Sequence, residues 1–221
     1  MHNVPSLSEI TMTAIRPGFG FLLLFLFTGS LLAQTKMDPS KAKALEAKVK
    51  ELAITTETIT SDFIQYKHLD FLSNDIKSTG KLSYKSPNLV KWEYRTPFEY
   101  ALIFKDETLY INNEGKKSNM DLGSNKLFEQ LNKLITNSIK GDMFNTEEFN
   151  ISYYENGVES EVHFAPKEQA FSDFIKVFHL IFNEKGEVTT VKMVEPSDDY
   201  TQIIFSNRIV NIPLPDAVFT H

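Results

Sequence analysis

From Thr58 onward the chain alternates apolar and polar residues with a period of two, and turn residues break the alternation at short intervals. Successive strand side chains point to opposite faces, so this pattern describes strands that bury one face each. The cleanest run is Ile76–Lys85. There Ile76, Ser78, Gly80, Leu82 and Tyr84 oppose Lys77, Thr79, Lys81, Ser83 and Lys85. Ser86-Pro87-Asn88 is a turn signal. Val90, Trp92 and Tyr94 then oppose Lys91, Glu93 and Arg95. After Thr96-Pro97 come Tyr100, Leu102 and Phe104, with Ala101 and Ile103 making the strand apolar on both faces. Lys105-Asp106-Glu107 reads as a hairpin connection into Leu109-Tyr110-Ile111. Upstream, Ile59, Ser61, Phe63 and Gln65 share a face. Downstream, Asn156-Gly157 is a hairpin dipeptide between Phe149–Tyr153 and Val158–Phe164. Phe178, Leu180 and Phe182 form another face, and Val188–Val194 and the strand through Ile203 and Phe205 come after it.

About ten or eleven strands joined mostly by hairpins imply an antiparallel sheet. A sheet of that width curls or closes. Two segments have helical spacing instead. Asp38-Pro39 is a helix start, and Leu45, Val49 and Leu52 share one face of the helix it opens. From Asn125 to Ile139, Leu127, Phe128, Leu131, Leu134 and Ile135 repeat at helical intervals, and Gly141 ends the segment. Pro166–Asp173 is a loop or a short helix. The concave side of the curled sheet is the place to bury these helical faces. The expected fold is therefore mainly β (α+β), a half-barrel with helices across its mouth. Phe63, Leu82, Tyr84, Val90, Trp92, Tyr94, Leu102, Phe104, Phe178, Leu180 and Phe182 should line the concave side, and Lys81, Lys91, Glu93 and Arg95 should face solvent. Periodicity alone does not say whether that interior is solid core or a cavity.

The N-terminus reads as an address. Phe21–Phe27 is an apolar run of seven residues, whereas a membrane-spanning helix needs roughly 20 and a signal-peptide core about 7–15. Arg16 precedes the run, and Ala33 offers a small residue for cleavage before Gln34. Residues 1–33 are expected to be a cleaved signal peptide, with the start at Met1 or Met12, and residues 34–221 one domain in an exported compartment. Net charge of −6 argues against an electrostatic nucleic-acid binder. The absence of cysteine removes disulfides, thiolate metal sites and Cys nucleophiles together. The five histidines are at 2, 68, 163, 179 and 221, and no two stand at i, i+4. There is no H-E-x-x-H, EF-hand loop, phosphate loop or G-x-S-x-G. His68, His163 and His179 read as strand residues. No catalytic residue, metal or cofactor is called for, and the expectation is a non-enzyme.

The segment 80–113, GKLSYKSPNLVKWEYRTPFEYALIFKDETLYINN, resembles the LolA family of periplasmic lipoprotein carriers. The family's order of elements is met by Phe63-Ile64-Gln65, Gly80-Lys81-Leu82, Pro87-Asn88-Leu89, Trp92, Pro97, Tyr100–Phe104 and Thr108-Leu109-Tyr110. Phe178, Leu180, Phe182, Gly186 and Phe219 also fit, more loosely. The resemblance implies an incomplete antiparallel barrel with a helical lid over an apolar cavity. It implies acylated lipoproteins as cargo, an inner-membrane ABC exporter as donor and an outer-membrane acceptor, with only transient membrane contact, in a periplasmic monomer without a cofactor. Leu127, Phe128, Leu131, Leu134 and Ile135 would then belong to the lid. Where the best-studied branch has an Arg that ties the lid, this chain has Ser86, with Lys85 on the opposite face. Two other readings stay open: a lipid or glycolipid binder of the same fold used in envelope biosynthesis, and an envelope-stress sensor that transports nothing.

Overall fold

The computed structural model describes residues 35–124, 136–137 and 141–220. The expected signal segment and the lid residues Leu127, Phe128, Leu131, Leu134 and Ile135 lie outside the described residues. Twelve strands form one sheet: β1 (Thr35–Lys36), β2 (Thr58–His68), β3 (Ile76–Lys85), β4 (Leu89–Thr96), β5 (Tyr100–Lys105), β6 (Thr108–Asn113), β7 (Lys116–Asp121), β8 (Phe149–Asn156), β9 (Glu159–Pro166), β10 (Val177–Phe182), β11 (Val188–Val194) and β12 (Tyr200–Val210). Their order is β1-β8-β9-β10-β11-β12-β2-β3-β4-β5-β6-β7. Every neighbouring pair is antiparallel, and β1 and β7 remain as edges, so the half-barrel stays open. The count exceeds the expected ten or eleven through β1 and β7. One has two residues, and the other reads Lys-Lys-Ser-Asn-Met-Asp, with no apolar alternation to betray it.

The middle of the sheet is the pairing of its two longest strands. β12 runs against β2 from Tyr200 opposite His68 to Val210 opposite Ile59. Hairpins continue outward on both sides. The connection at Asp106 and Glu107 has both residues at positive φ (50° and 59°), the geometry of a two-residue hairpin turn whose twist matches the strands.

Helix α1 (Pro39–Ile54) is the long helix among the described residues. Asp38 caps it, its Oδ1 accepting from Ser40 N at 2.8 Å, and Pro39 takes the first turn. The helix lies over the β8–β11 half of the sheet. Lys41 pairs with Glu155, Tyr153 donates to Glu46, and Lys48 Nζ donates to Glu184 O at 2.8 Å. Beneath it Ala42, Leu45 and Val49 pack with Phe149, Val162, Phe164, Phe178, Leu180 and Phe182 in one core. The ambiguous 166–173 stretch contains a short helix, α2 (Gln169–Ser172), which adds Phe171 to that core. A second core, on the β2–β6 half, holds Ile59, Phe63, Leu82, Tyr84, Val90, Trp92, Phe104 and Leu109, with Leu122 and Ile203.

The outer face is polar as expected. Lys91 and Arg95 both pair with Glu93. Ile103 is the exception on β5, and it is buried. Lys85, on this face, reaches Leu214 O at 2.9 Å and Asp216 Oδ1 at 2.6 Å. It thereby fixes the C-terminal 3₁₀ turn Asp216–Phe219, which packs against β4.

Gly80 decides how the second core closes. It pairs with Phe63 across β2 and β3, and a Cβ there would stand 2.5 Å from Phe63 Cζ and 2.2 Å from Glu93 O. The Phe63 ring therefore needs the space a side chain at 80 would fill. Gly80→Ala is expected to destabilise the chain by about 2–3 kcal/mol, the usual cost of overpacking a well-filled site. A lowered midpoint in urea denaturation, with the slope unchanged, checks this.

Candidate functional site

The two cores do not meet. Between them lies a cavity of about 230 Å³, bounded by the last turns of α1, by β11 and β12, and by β2–β5. Val49, Leu52 and Ala53 of α1 line one side, and Val188, Val191 and Met193 of β11 another. Leu82, Trp92, Tyr94, Leu102 and Phe104 line the side formed by β3–β5, with Ile203 and Phe205 between. This surface is made because the strands curl with alternate residues on one side.

Its aromatic side is braced from below. Phe63, almost fully buried, meets Trp92 at 5.1 Å and 63° and Tyr94 at 5.1 Å and 79°, both edge to face. Such pairs favour this geometry because a ring's positive edge points at a negative face. Trp92 also meets Phe205 at 5.9 Å. The Tyr94 hydroxyl donates to Gln65 Oε1 at 2.9 Å, and burial, with Tyr100 adding to it, pushes its phenol pKa up to about 12.

The polar groups at the cavity are few: Thr56, Ser61, Gln65, Glu187 and Arg208. Arg208 reaches the cavity through a bulge. The β2–β12 register shifts between Ser206 and Ile209, Asn207 has φ +52°, and Ser61 Oγ donates to Ser206 O at 2.7 Å beside the break. An inserted residue reverses which side chains face inward, so Arg208 lines the cavity where strict alternation from Ile203 and Phe205 would put Asn207. Its Nε stands 3.7 Å from Glu187 Oε1, beyond hydrogen-bond reach, and is buried without a hydrogen-bond partner among the described residues. Burial holds the guanidinium pKa below its usual value, against the attraction of Glu187. Trp92 Nε1 is likewise buried without an acceptor among the described residues. The cavity thus joins an apolar lining to donors that none of the described residues satisfies.

Residues 54–221 match the family model described as outer membrane lipoprotein carrier protein LolA. The chain belongs to the LolA family. Solved structures of low sequence identity are similar to this chain. A DUF1329 family protein from Desulfovibrio piger is 13% identical with a TM-score of 0.50, over 84% of this chain and 98% of that one. A LolA superfamily protein from Nitrosomonas europaea is 10% identical with a TM-score of 0.43, over 81% and 97%. A putative outer membrane lipoprotein-sorting protein domain from Vibrio parahaemolyticus is 10% identical with a TM-score of 0.46, over 81% and 94%. No match was found among curated proteins.

Of the LolA-type cavity residues read from alternation, Leu82, Trp92, Tyr94, Leu102 and Phe104 line the cavity. Phe63, Tyr84 and Val90 are packed in the core of the β2–β6 half. Phe178, Leu180 and Phe182 are packed in the other, under α1. Alternation missed Arg208, whose only local signal is Asn207, a residue type that tolerates positive φ. It also missed Glu187, whereas the expected burial of the α1 face against the concave side is met by Val49 and Leu52. Ser86, at the position of the family's lid-tying Arg, donates its N–H to Glu57 O at 2.8 Å. Burial pushes the Tyr84 phenol up, and a hydrogen bond with Ser86 works against it. Lys85 is committed to the C-terminal turn.

Trp92 is the only tryptophan and lines the cavity. A medium-chain fatty acid that enters should displace water from its ring and shift its emission to the blue. A titration with dodecanoate followed at the tryptophan band checks this, and an emission unchanged at saturation would mean that the cavity does not admit the chain.

Proposed function

We propose that this chain is a non-enzymatic, monomeric periplasmic carrier of lipoprotein acyl chains. In this reading residues 1–33 direct export and are cleaved, and residues 34–221 carry the cargo. The carrier takes acylated lipoproteins from an inner-membrane ABC exporter, shields their chains in transit, and yields them to an outer-membrane acceptor. The segment 125–139, with Leu127, Phe128, Leu131, Leu134 and Ile135, serves as the lid.

The cavity is the observation that carries this reading. Each methylene withdrawn from water gains about 0.8 kcal/mol, so an acyl chain needs only an apolar surface, without directional bonds. Lipoprotein acyl groups are attached through ester and amide carbonyls, which are acceptors. The guanidinium of Arg208 supplies donors at the cavity wall, and the loose contact with Glu187 leaves them available. Release requires only a more apolar acceptor, and no nucleotide enters the scheme.

The volume favours a second reading alongside it. At about 230 Å³ the cavity is below the roughly 300–1,000 Å³ of ordinary small-molecule pockets. It takes part of one chain as it stands. A cargo with several chains requires the lining to open, whereas a single-chain lipid or glycolipid does not.

Organic extraction of the chain recovered from an exporting host, followed by mass spectrometry, separates the two. Acylated lipoprotein supports the carrier and free lipid the lipid binder, while an empty extract would count against both. Val191→Trp should abolish the co-purified species while keeping stability within about 1 kcal/mol of the parent, because the added ring enters space that no described side chain fills. Retention of cargo by that variant would place the binding surface elsewhere.

A further inference from the structure

A cluster on the opposite face of the sheet is unrelated to the cavity. His163 of β9 and His179 of β10 are directly opposed in register, and Glu161 stands two residues before His163 on the same face. Glu161 Oε1 lies 2.8 Å from His163 Nε2 and 3.0 Å from His179 Nδ1. The two imidazole centroids are 3.8 Å apart. The three side chains keep only 12%, 20% and 26% of their exposure, and Tyr154 packs on His163 at 4.5 Å.

We infer that Glu161, His163 and His179 form a binding site for a divalent transition-metal ion of the Zn²⁺ class. Two neutral imidazoles and one carboxylate are a three-ligand set that Zn²⁺ accepts, with a remaining position for water. Imidazole donors select against Mg²⁺ and Ca²⁺, which take oxygen ligands. A tetrahedral ion bound at about 2.0–2.1 Å holds its ligand atoms about 3.3 Å apart. The donor atoms here converge within 4.8 Å of one another, and the two nitrogens stand close to that spacing from the shared oxygen. Side-chain rotations that bring the widest pair closer by at most about 1.5 Å admit the ion, and neighbouring strands supply a rigid mount.

The electrostatics allow it. Burial pushes the Glu161 carboxyl up, but its two imidazole contacts outweigh burial and hold it below its usual value, hence ionised. Burial, aided by His163 and Lys192 against the pull of Glu161, holds His179 below its usual value, hence neutral near pH 7. The nearest cation in register, Lys192, sits opposite His179, with its ammonium over the Tyr200 ring at 3.8 Å from the centroid. Binding replaces two N–H···O contacts with two nitrogen–metal bonds. The ring protons move to Nδ1 of His163 and Nε2 of His179, and no electron changes hands.

Zn²⁺ titration of the full chain without a polyhistidine tag, by calorimetry, tests this. One equivalent should bind, raise Tm and be reversed by a chelator. His163→Asn and His179→Asn should each weaken binding at least tenfold. His68→Asn should not, since His68 pairs with Asp75 and stacks on Tyr200 elsewhere. On the unmutated chain, imidazole ¹H–¹⁵N spectra should show two histidines shifting together with the first equivalent. No saturable binding, equal binding by both cluster variants, or a shift confined to other histidines would overturn the site.

Discussion

One sheet with one apolar face, wider than the helix that covers it among the described residues, is the constraint on which the rest of this structure depends. Twelve strands spaced about 4.8 Å apart make an arc of roughly 53 Å. The sixteen residues of α1 make a helix about 24 Å long. Among the described residues α1 covers the β8–β11 half, where the phenylalanines of β9 and β10 close against Leu45 and Val49. Among the described residues the β2–β6 half closes on itself. It does so by curling and by turning large aromatics inward. Two cores built by different means leave a gap at their junction, and that gap is the cavity.

The contact between Phe63 and Gly80 braces one wall of the gap. A ring laid across a glycine lies flat and deep, so the residues above it, Trp92 and Tyr94, are held edge-on. Edge-on rings resist sliding into free space, because they would lose both the quadrupole geometry and the packing beneath. The hydrogen bond from Tyr94 to Gln65 ties the same wall to β2. The bracing of this apolar wall thus begins at a small residue, Gly80, in the most regular strand of the chain.

Alternation made most of the sheet legible. Strand β3 has the bounds its pattern indicates, the Asp38-Pro39 cap opens α1, and the hairpins fall at the expected turns. Period two assigns a residue to a face but not to a position along the curve. Leu82 and Leu180 are the same residue type on the same face, and only the location of α1 separates them: Leu82 reaches the cavity, while Leu180 lies under the helix. Arg208 was hidden for another reason. A bulge breaks the parity on which face assignments rest, and a single Asn is a weak sign of one. The cluster of Glu161, His163 and His179 needed the register of β9 against β10, because residues 163 and 179 have no local spacing that links them.

The bulge at Asn207 also explains how a charge is tolerated beside an apolar lining. Taking a guanidinium out of water is costly unless it is paired and hydrogen-bonded. Arg208 is neither fully buried nor well paired: its side chain keeps 24% of its exposure, and Glu187 stands just outside hydrogen-bond distance. Glu187 is itself held by Asn183, whose Nδ2 donates to Oε2 at 2.8 Å, so it cannot swing fully toward Arg208 without breaking that bond. The pair is thus kept slightly apart by the turn between β10 and β11. A tighter ion pair would satisfy both groups and leave nothing for a ligand. A lone Arg would carry the full cost of desolvation. The intermediate spacing supports the charge while leaving guanidinium donors at the cavity wall, which couples the geometry of one strand bulge to the chemistry of the cavity.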